Sequence, residues 1–232
     1  FRQDLRIKDN PSLEAASKEG TLIPVYILDD INSREFSMGA ASRWWLHNSL
    51  KELNDSLGGK LLFFKGNPTE IFEKLTQEHE ISYISWNRCY EPWRINRDKV
   101  IKKDLEEKGI TVESFCGSLL WEPWNISKDD GTPYRVFTPF YKKGCLNYDE
   151  PRLPTQGYEI DNLYTDFIES SDLESLNLIP EIDWYKGFES EWKPGEKGAE
   201  DSLDIFLENG LLNYKEGRNF PSQKFVSRLS PH

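Results

Sequence analysis

Between residues 21 and 116 the hydrophobic positions switch repeatedly between two periods. Leu22-Ile23-Pro24-Val25-Tyr26-Ile27-Leu28 is a short, nearly continuous apolar run that ends on Asp29-Asp30. Such a run predicts a strand buried on both faces. From Ala40 to Leu57 the apolar residues Trp45, Leu46, Leu50, Leu53 and Leu57 fall close to helical spacing, and Gly58-Gly59 stops the helix. Lys60 to Phe64 predicts the next strand. Gly66-Asn67-Pro68-Thr69-Glu70 predicts a turn into a helix carrying Ile71, Phe72 and Leu75. Ile81 to Trp86 predicts a strand. Pro92 to Lys108 predicts a charged helix with Val100, Ile101 and Leu105 inward and Gly109 after its end. Ile110 to Phe115 predicts the last strand. This βαβα order with short connections predicts an α/β fold, a Rossmann-like doubly wound parallel sheet with helices on both faces. Phe1 to Asp4 lead only into a turn (Lys8-Asp9-Asn10-Pro11) and a short helix from Ser12 to Ser17. The first strand of a doubly wound sheet is usually central. It is therefore expected to precede Phe1, in a sequence cut at its N-terminus.

Beyond Leu119 no period survives until about Lys197. Pro, Trp, Gly and acidic residues are frequent, and only Val136 to Phe140 suggests a local element. A connection of that length is unusual inside a domain and predicts a linker between two. Helical spacing returns at Ala199, Leu203, Phe206 and Leu207, with Gly210 near the end. A second helix is expected over Leu211 to Lys215 and a third from about Ser227. The expected organisation is an α/β domain over 1–124, an interdomain linker over 125–197 and the beginning of an all-α domain over 198–232.

Charge sharpens this division. The net charge is −11, which taken alone argues against a nucleic-acid partner. Residues 149–208, however, hold 17 acidic against four basic residues, whereas residues 209–232 hold four basic against one acidic. The acid is confined to one segment and the chain's end is basic. Three scattered cysteines, with no CxxC spacing, predict reduced thiols in a cytoplasmic protein. Three scattered histidines offer no metal site. No apolar run is long enough for a membrane span, and a monomer is expected. Eight tryptophans supply a core of large side chains or a surface on which flat ligands stack.

Five motifs, taken in order, resemble the DNA photolyase/cryptochrome family. They are Phe1 to Pro11; Gly66-Asn67-Pro68; Trp86-Asn87-Arg88-Cys89-Tyr90-Glu91-Pro92; Pro133 to Phe140; and Tyr214 through Arg218-Asn219-Phe220-Pro221 to Val226-Ser227-Arg228-Leu229-Ser230-Pro231. The resemblance implies an antenna-type α/β domain, the interdomain connection and the start of a flavin-binding helical domain. It also implies light-driven repair of cyclobutane pyrimidine dimers in UV-damaged DNA, by an electron from reduced FAD, with an antenna chromophore. The alternative it leaves open is a cryptochrome-type blue-light receptor without repair. By the same resemblance, Tyr214 contacts FAD, Val226, Ser227, Arg228, Leu229 and Ser230 form its phosphate side, and Arg218 contacts DNA. Backbone N–H groups at a helix start and two hydroxyls suit a pyrophosphate, although two serines there also suit simple capping. The antenna candidates are Asn10, Arg43, Asn87 and Glu91. Tyr90 to Arg94 departs from the folate-binding form, which has Asn-Glu at the Trp93 and Arg94 positions, so folate, deazaflavin and flavin all remain open. No catalytic residue falls within the chain, which as a fragment is expected to be inactive.

Overall fold

The computed structural model describes residues 1–155, 158–223 and 226–227. Four strands, β1 (Val25–Leu28), β2 (Leu62–Lys65), β3 (Tyr83–Asn87) and β4 (Thr111–Phe115), alternate with helices α2 (Ala40–Ser56), α3 (Pro68–Glu78) and α4 (Pro92–Glu107). A first helix, α1 (Pro11–Ser17), precedes them. Local chemistry sets the starts. Asn10 and Asn67 accept backbone N–H bonds at the N-termini of α1 and α3, and proline opens α1, α3 and α4 where its missing N–H costs nothing.

Pairing between the named strands is parallel. β1 runs beside β2, Val25 opposite Leu62 through Leu28 opposite Lys65. β3 runs beside β4, Tyr83 opposite Thr111 through Asn87 opposite Phe115. The sheet thus stands as two halves, with no named strand between them among the described residues. A cleft of about 1090 Å³ separates β1 from β3, and helices α1 to α4 contribute side chains to its walls.

The core follows the predicted faces with two shifts of a single residue. On α2, Leu46, Leu50 and Leu53 are buried as expected, but it is Trp44 that is buried and Trp45 that is exposed. On α4, Ile101 and Leu105 share a face at i and i+4, which turns Val100 outward. On α2 the burial of Trp44 comes from Tyr185 and Phe188 of the connecting segment, whose ring centroids lie 6.4 and 5.7 Å from its own.

The segment assigned to a linker holds only short helical turns, as at Phe137–Pro139, Glu174–Leu176 and Lys186–Glu189. It is nevertheless bound tightly to the α/β layer. Leu163 bridges Leu22, Ser171 donates to the Phe63 carbonyl at 2.8 Å, and Leu173, Leu176 and Leu178 fill the core beside Leu28, Leu50 and Leu53. All three leucines join one core cluster, although their spacing follows neither the helical nor the strand period. Helix α5 (Glu196–Ile205) then returns to the N-terminal loop, where the Glu196 carboxylate accepts the backbone N–H groups of Ile7 and Lys8, each at 2.9 Å. A short turn, α6 (Tyr214–Gly217), follows. The helix expected from Ser227 lies outside the described residues. Among the described residues no helix is long and apolar enough to cross a membrane.

Candidate functional site

In an open parallel sheet, ligands gather beyond the carboxyl ends of the strands. Here those ends carry a buried polar network. Asn87, the last residue of β3, donates from Nδ2 to Asp4 Oδ2 (2.6 Å) and to Asn10 Oδ1 (2.7 Å), and its Oδ1 accepts the Ser12 N–H at 3.3 Å. Asn10 donates to the Arg6 carbonyl and receives the Leu13 N–H. Gly117 closes the network from above, since a Cβ there would lie 2.3 Å from Asn87 Cγ. Burial pushes the Asp4 carboxyl upward. The Phe1 amine, the Arg2 backbone N–H and Asn87 outweigh that push and hold it below the usual carboxylate range.

A second cluster lies at the end of β1. Arg97 pairs with Asp29 at 2.9 Å and with Asp98, which also receives Arg2. Burial works against the Arg97 charge, but Asp98 and Asp29 raise its pKa overall. Arg94 and Arg97 both lie over the Trp93 ring, 4.8 and 5.2 Å from its centroid. Arg43 is tied to Asp30 at 2.8 Å and to the Met38 carbonyl. Glu91 sits at the N-cap of α4, accepts from Gln3 at 2.8 Å and lies 3.5 Å from Arg94. Of the four antenna candidates, then, Asn10 and Asn87 meet directly. Glu91 joins the second cluster through Arg94, and Arg43 sits with Asp30 one residue beyond Asp29.

At the other end of the chain Tyr214 opens α6, packs edge-on against Phe206 with centroids 5.7 Å apart, and lies beneath the Arg218 guanidinium at 5.5 Å. The proposed flavin and DNA contacts are therefore neighbours on one helical turn. Val226 is exposed and Ser227 half-buried, while Arg228, Leu229 and Ser230 lie outside the described residues. Among the described residues no cluster of His, Cys, Asp or Glu could hold a metal ion.

The DNA photolyase family profile matches residues 1–157, two thirds of the sequence. The chain belongs to the DNA photolyase family. Along its whole length it is 41% identical to a deoxyribodipyrimidine photo-lyase of Agrobacterium fabrum, covering 49% of that protein. It is 33% identical, again along its whole length, to Cryptochrome-2 of Arabidopsis thaliana, covering 39% of it. A bacterial class III photolyase from Agrobacterium tumefaciens superposes with a TM-score of 0.90 at 40% identity, over all of this chain and 48% of that one. The chain spans about half the length, or less, of these relatives.

Within this photolyase-family chain, sequence reasoning missed the Asp29–Arg97–Asp98–Arg2 cluster. Its one visible signal was the Asp29-Asp30 pair at the end of an apolar run. Acids that close a buried strand need partners, but Asp29 finds its partner, Arg97, 68 residues away on α4.

Proposed function

We propose that this chain is the N-terminal half of a deoxyribodipyrimidine photo-lyase that repairs cyclobutane pyrimidine dimers in UV-damaged DNA. The observation that carries this reading is end-to-end similarity: 41% identity over the full chain to a protein of that name. In this reading residues 1–124 are the antenna domain, 125–197 the interdomain connection and 198–232 the start of the FAD-binding domain. FAD, when bound, supplies the light-driven electron. Tyr214 offers its ring edge and hydroxyl to the cofactor. Ser227, with Val226, Arg228, Leu229 and Ser230, presents backbone N–H groups and hydroxyls to the pyrophosphate. Val226 has no hydroxyl and acts through its backbone. Arg218 neutralises one DNA phosphate, which contributes affinity and not lesion choice. An antenna chromophore, whether folate, deazaflavin or flavin, would rest at the strand ends near Asn10, Arg43, Asn87 and Glu91.

The cryptochrome reading is kept because the similarity to Cryptochrome-2 also runs through the whole chain. The two readings separate in a protein that carries this chain together with the second half found in its relatives. Illuminated with dimer-containing DNA, it should remove dimers. Flavin-loaded protein that leaves them intact would favour the photoreceptor. Residues 1–232 alone should neither repair DNA nor hold FAD stoichiometrically.

A further inference from the structure

We propose that Glu196 is a positioning residue: through one carboxylate it sets the helical run that carries Tyr214 against the loop that carries the Glu91 surface. The roles of Tyr214 and Glu91 rest on the repair reading; the joint between them rests on geometry alone.

Helix α5 begins on a cap borrowed from another helix. Gly195 precedes it at φ 104°, a conformation that favours glycine. A Cβ there would lie 2.7 Å from Glu52 Oε2, so its absence lets the Glu52 carboxylate of α2 lie close. That same oxygen accepts the Glu196 N–H at 3.0 Å. Held there by its backbone, Glu196 turns its own carboxylate onto the N-terminal loop. Oε2 accepts the Ile7 N–H and Oε1 the Lys8 N–H, each at 2.9 Å. Hydrogen bonds to an ionised acceptor are the strong class. Because both donors are main-chain groups, they fix the path of the loop and not a mobile side chain. One turn further along α5, Glu200 pairs with the Lys8 ammonium.

The loop is too firmly tied to absorb a shift at this joint. Arg6 donates to the carbonyls of Lys8, Asp9 and Gly117. Asp9 accepts the Thr155 N–H at 2.9 Å and pairs with Arg152. The Tyr158 hydroxyl donates to the Ile7 carbonyl, and Asn10 is bound to Asn87. At the other end of the loop, Gln3 donates to Glu91 at 2.8 Å. On the far side of the joint, α5 continues through the turns Phe206–Gly210 and Leu211–Asn213 into α6, where Tyr214 packs on Phe206. Glu196 is where the two networks meet. Transfer of excitation from a chromophore at Glu91 to a flavin at Tyr214 falls steeply with distance and depends on orientation. The joint therefore bears on that transfer and not on the flavin's own chemistry.

The first test uses residues 1–232 with spin labels at Val100, on α4, and at Leu212, just before α6, both exposed. The parent chain should give one narrow distance distribution. Glu196→Ala should broaden it, and Glu196→Gln, which keeps one acceptor oxygen, should fall between. A control pair at Val100 and Leu120 should not change. In Glu196→Ala the Ile7 and Lys8 amides should exchange about tenfold faster or more, tenfold being about 1.4 kcal/mol, while the Leu50 amide stays protected. An unchanged Val100–Leu212 distribution overturns the proposal. So does a change in both label pairs or loss of protection at Leu50, which would make Glu196 a general stabiliser. The second test uses a protein carrying both halves, loaded with FAD and, in turn, a folate, a deazaflavin and a second flavin. Glu196→Ala should lower repair driven by light that the added chromophore absorbs, and leave repair by direct excitation of FAD unchanged. Equal loss under both illuminations, or no sensitised repair in the parent with any of the three, overturns the light-path role. A parent protein that repairs nothing refutes the repair reading instead, and the label distances then judge the joint by itself.

Discussion

Replacing Asn87 with leucine removes the junction of the network at the end of β3 while nearly preserving side-chain volume, so the cavity contribution is small. The Nδ2 group makes one bond to a carboxylate at 2.6 Å and one to an amide oxygen at 2.7 Å. A bond to a charged partner contributes about 1.5–3 kcal/mol and a neutral one about 1 kcal/mol. The 3.3 Å bond from Ser12 adds little. Asp4 would also keep its buried charge with one partner fewer. The expected loss is about 3–5 kcal/mol, or roughly 6–20 °C in Tm. Urea unfolding followed by tryptophan fluorescence measures it, and the midpoint should fall at an unchanged slope. Asn87→Asp supplies the electrostatic complement. Two buried carboxylates would face each other, raising the new group's pKa, so stability should fall as pH rises through about 4. A loss below about 1 kcal/mol for Asn87→Leu, or no difference in pH dependence for Asn87→Asp, would refute the account of Asn87 as the structural keystone.

Leu176 is fully buried although it sits in the acidic connection, and Leu176→Ala should cost about 2–5 kcal/mol in a urea titration. The folded Asp4 pKa is depressed, so its stabilisation is complete above about 4 and is lost as pH falls through the folded value. Asn87→Leu should shrink that acid-side loss when stability is measured across pH 2–5. In a protein carrying both halves, Arg218→Ala should weaken DNA binding uniformly across sequences and reduce the salt slope by about 0.9.

The elements were legible because their signals are local. Asn10-Pro11 and Asn67-Pro68 each write a cap and a first turn in two adjacent residues, and the strands are apolar runs between them. Long-range complementarity was not legible. Nothing in the composition of residues 163–178 marks Leu173, Leu176 and Leu178 as core, because a hole in the α/β layer has no counterpart in the sequence of the segment that fills it. The Asp29–Arg97 pair is hidden in the same way, by 68 residues of separation.

The antenna candidates show what residue type leaves undecided. Asn10, Arg43, Asn87 and Glu91 were selected as polar groups at strand ends, where ligands and caps draw on the same chemistry. Spare hydrogen-bonding capacity tells them apart. Asn87 uses both donors of Nδ2 and one acceptor position on buried neighbours, and Asn10 caps α1 while bonding Asn87. A ligand would have to break those bonds, at about 1–3 kcal/mol for each buried group left unpaired. The Glu91 side chain is 41% exposed, and it contacts Gln3 and Arg94. Any chromophore at this end of the sheet would therefore engage the Glu91–Arg94–Trp93 side directly. Asn10 and Asn87 would act beneath it, fixing the loop from Phe1 to Asn10 on which that surface rests.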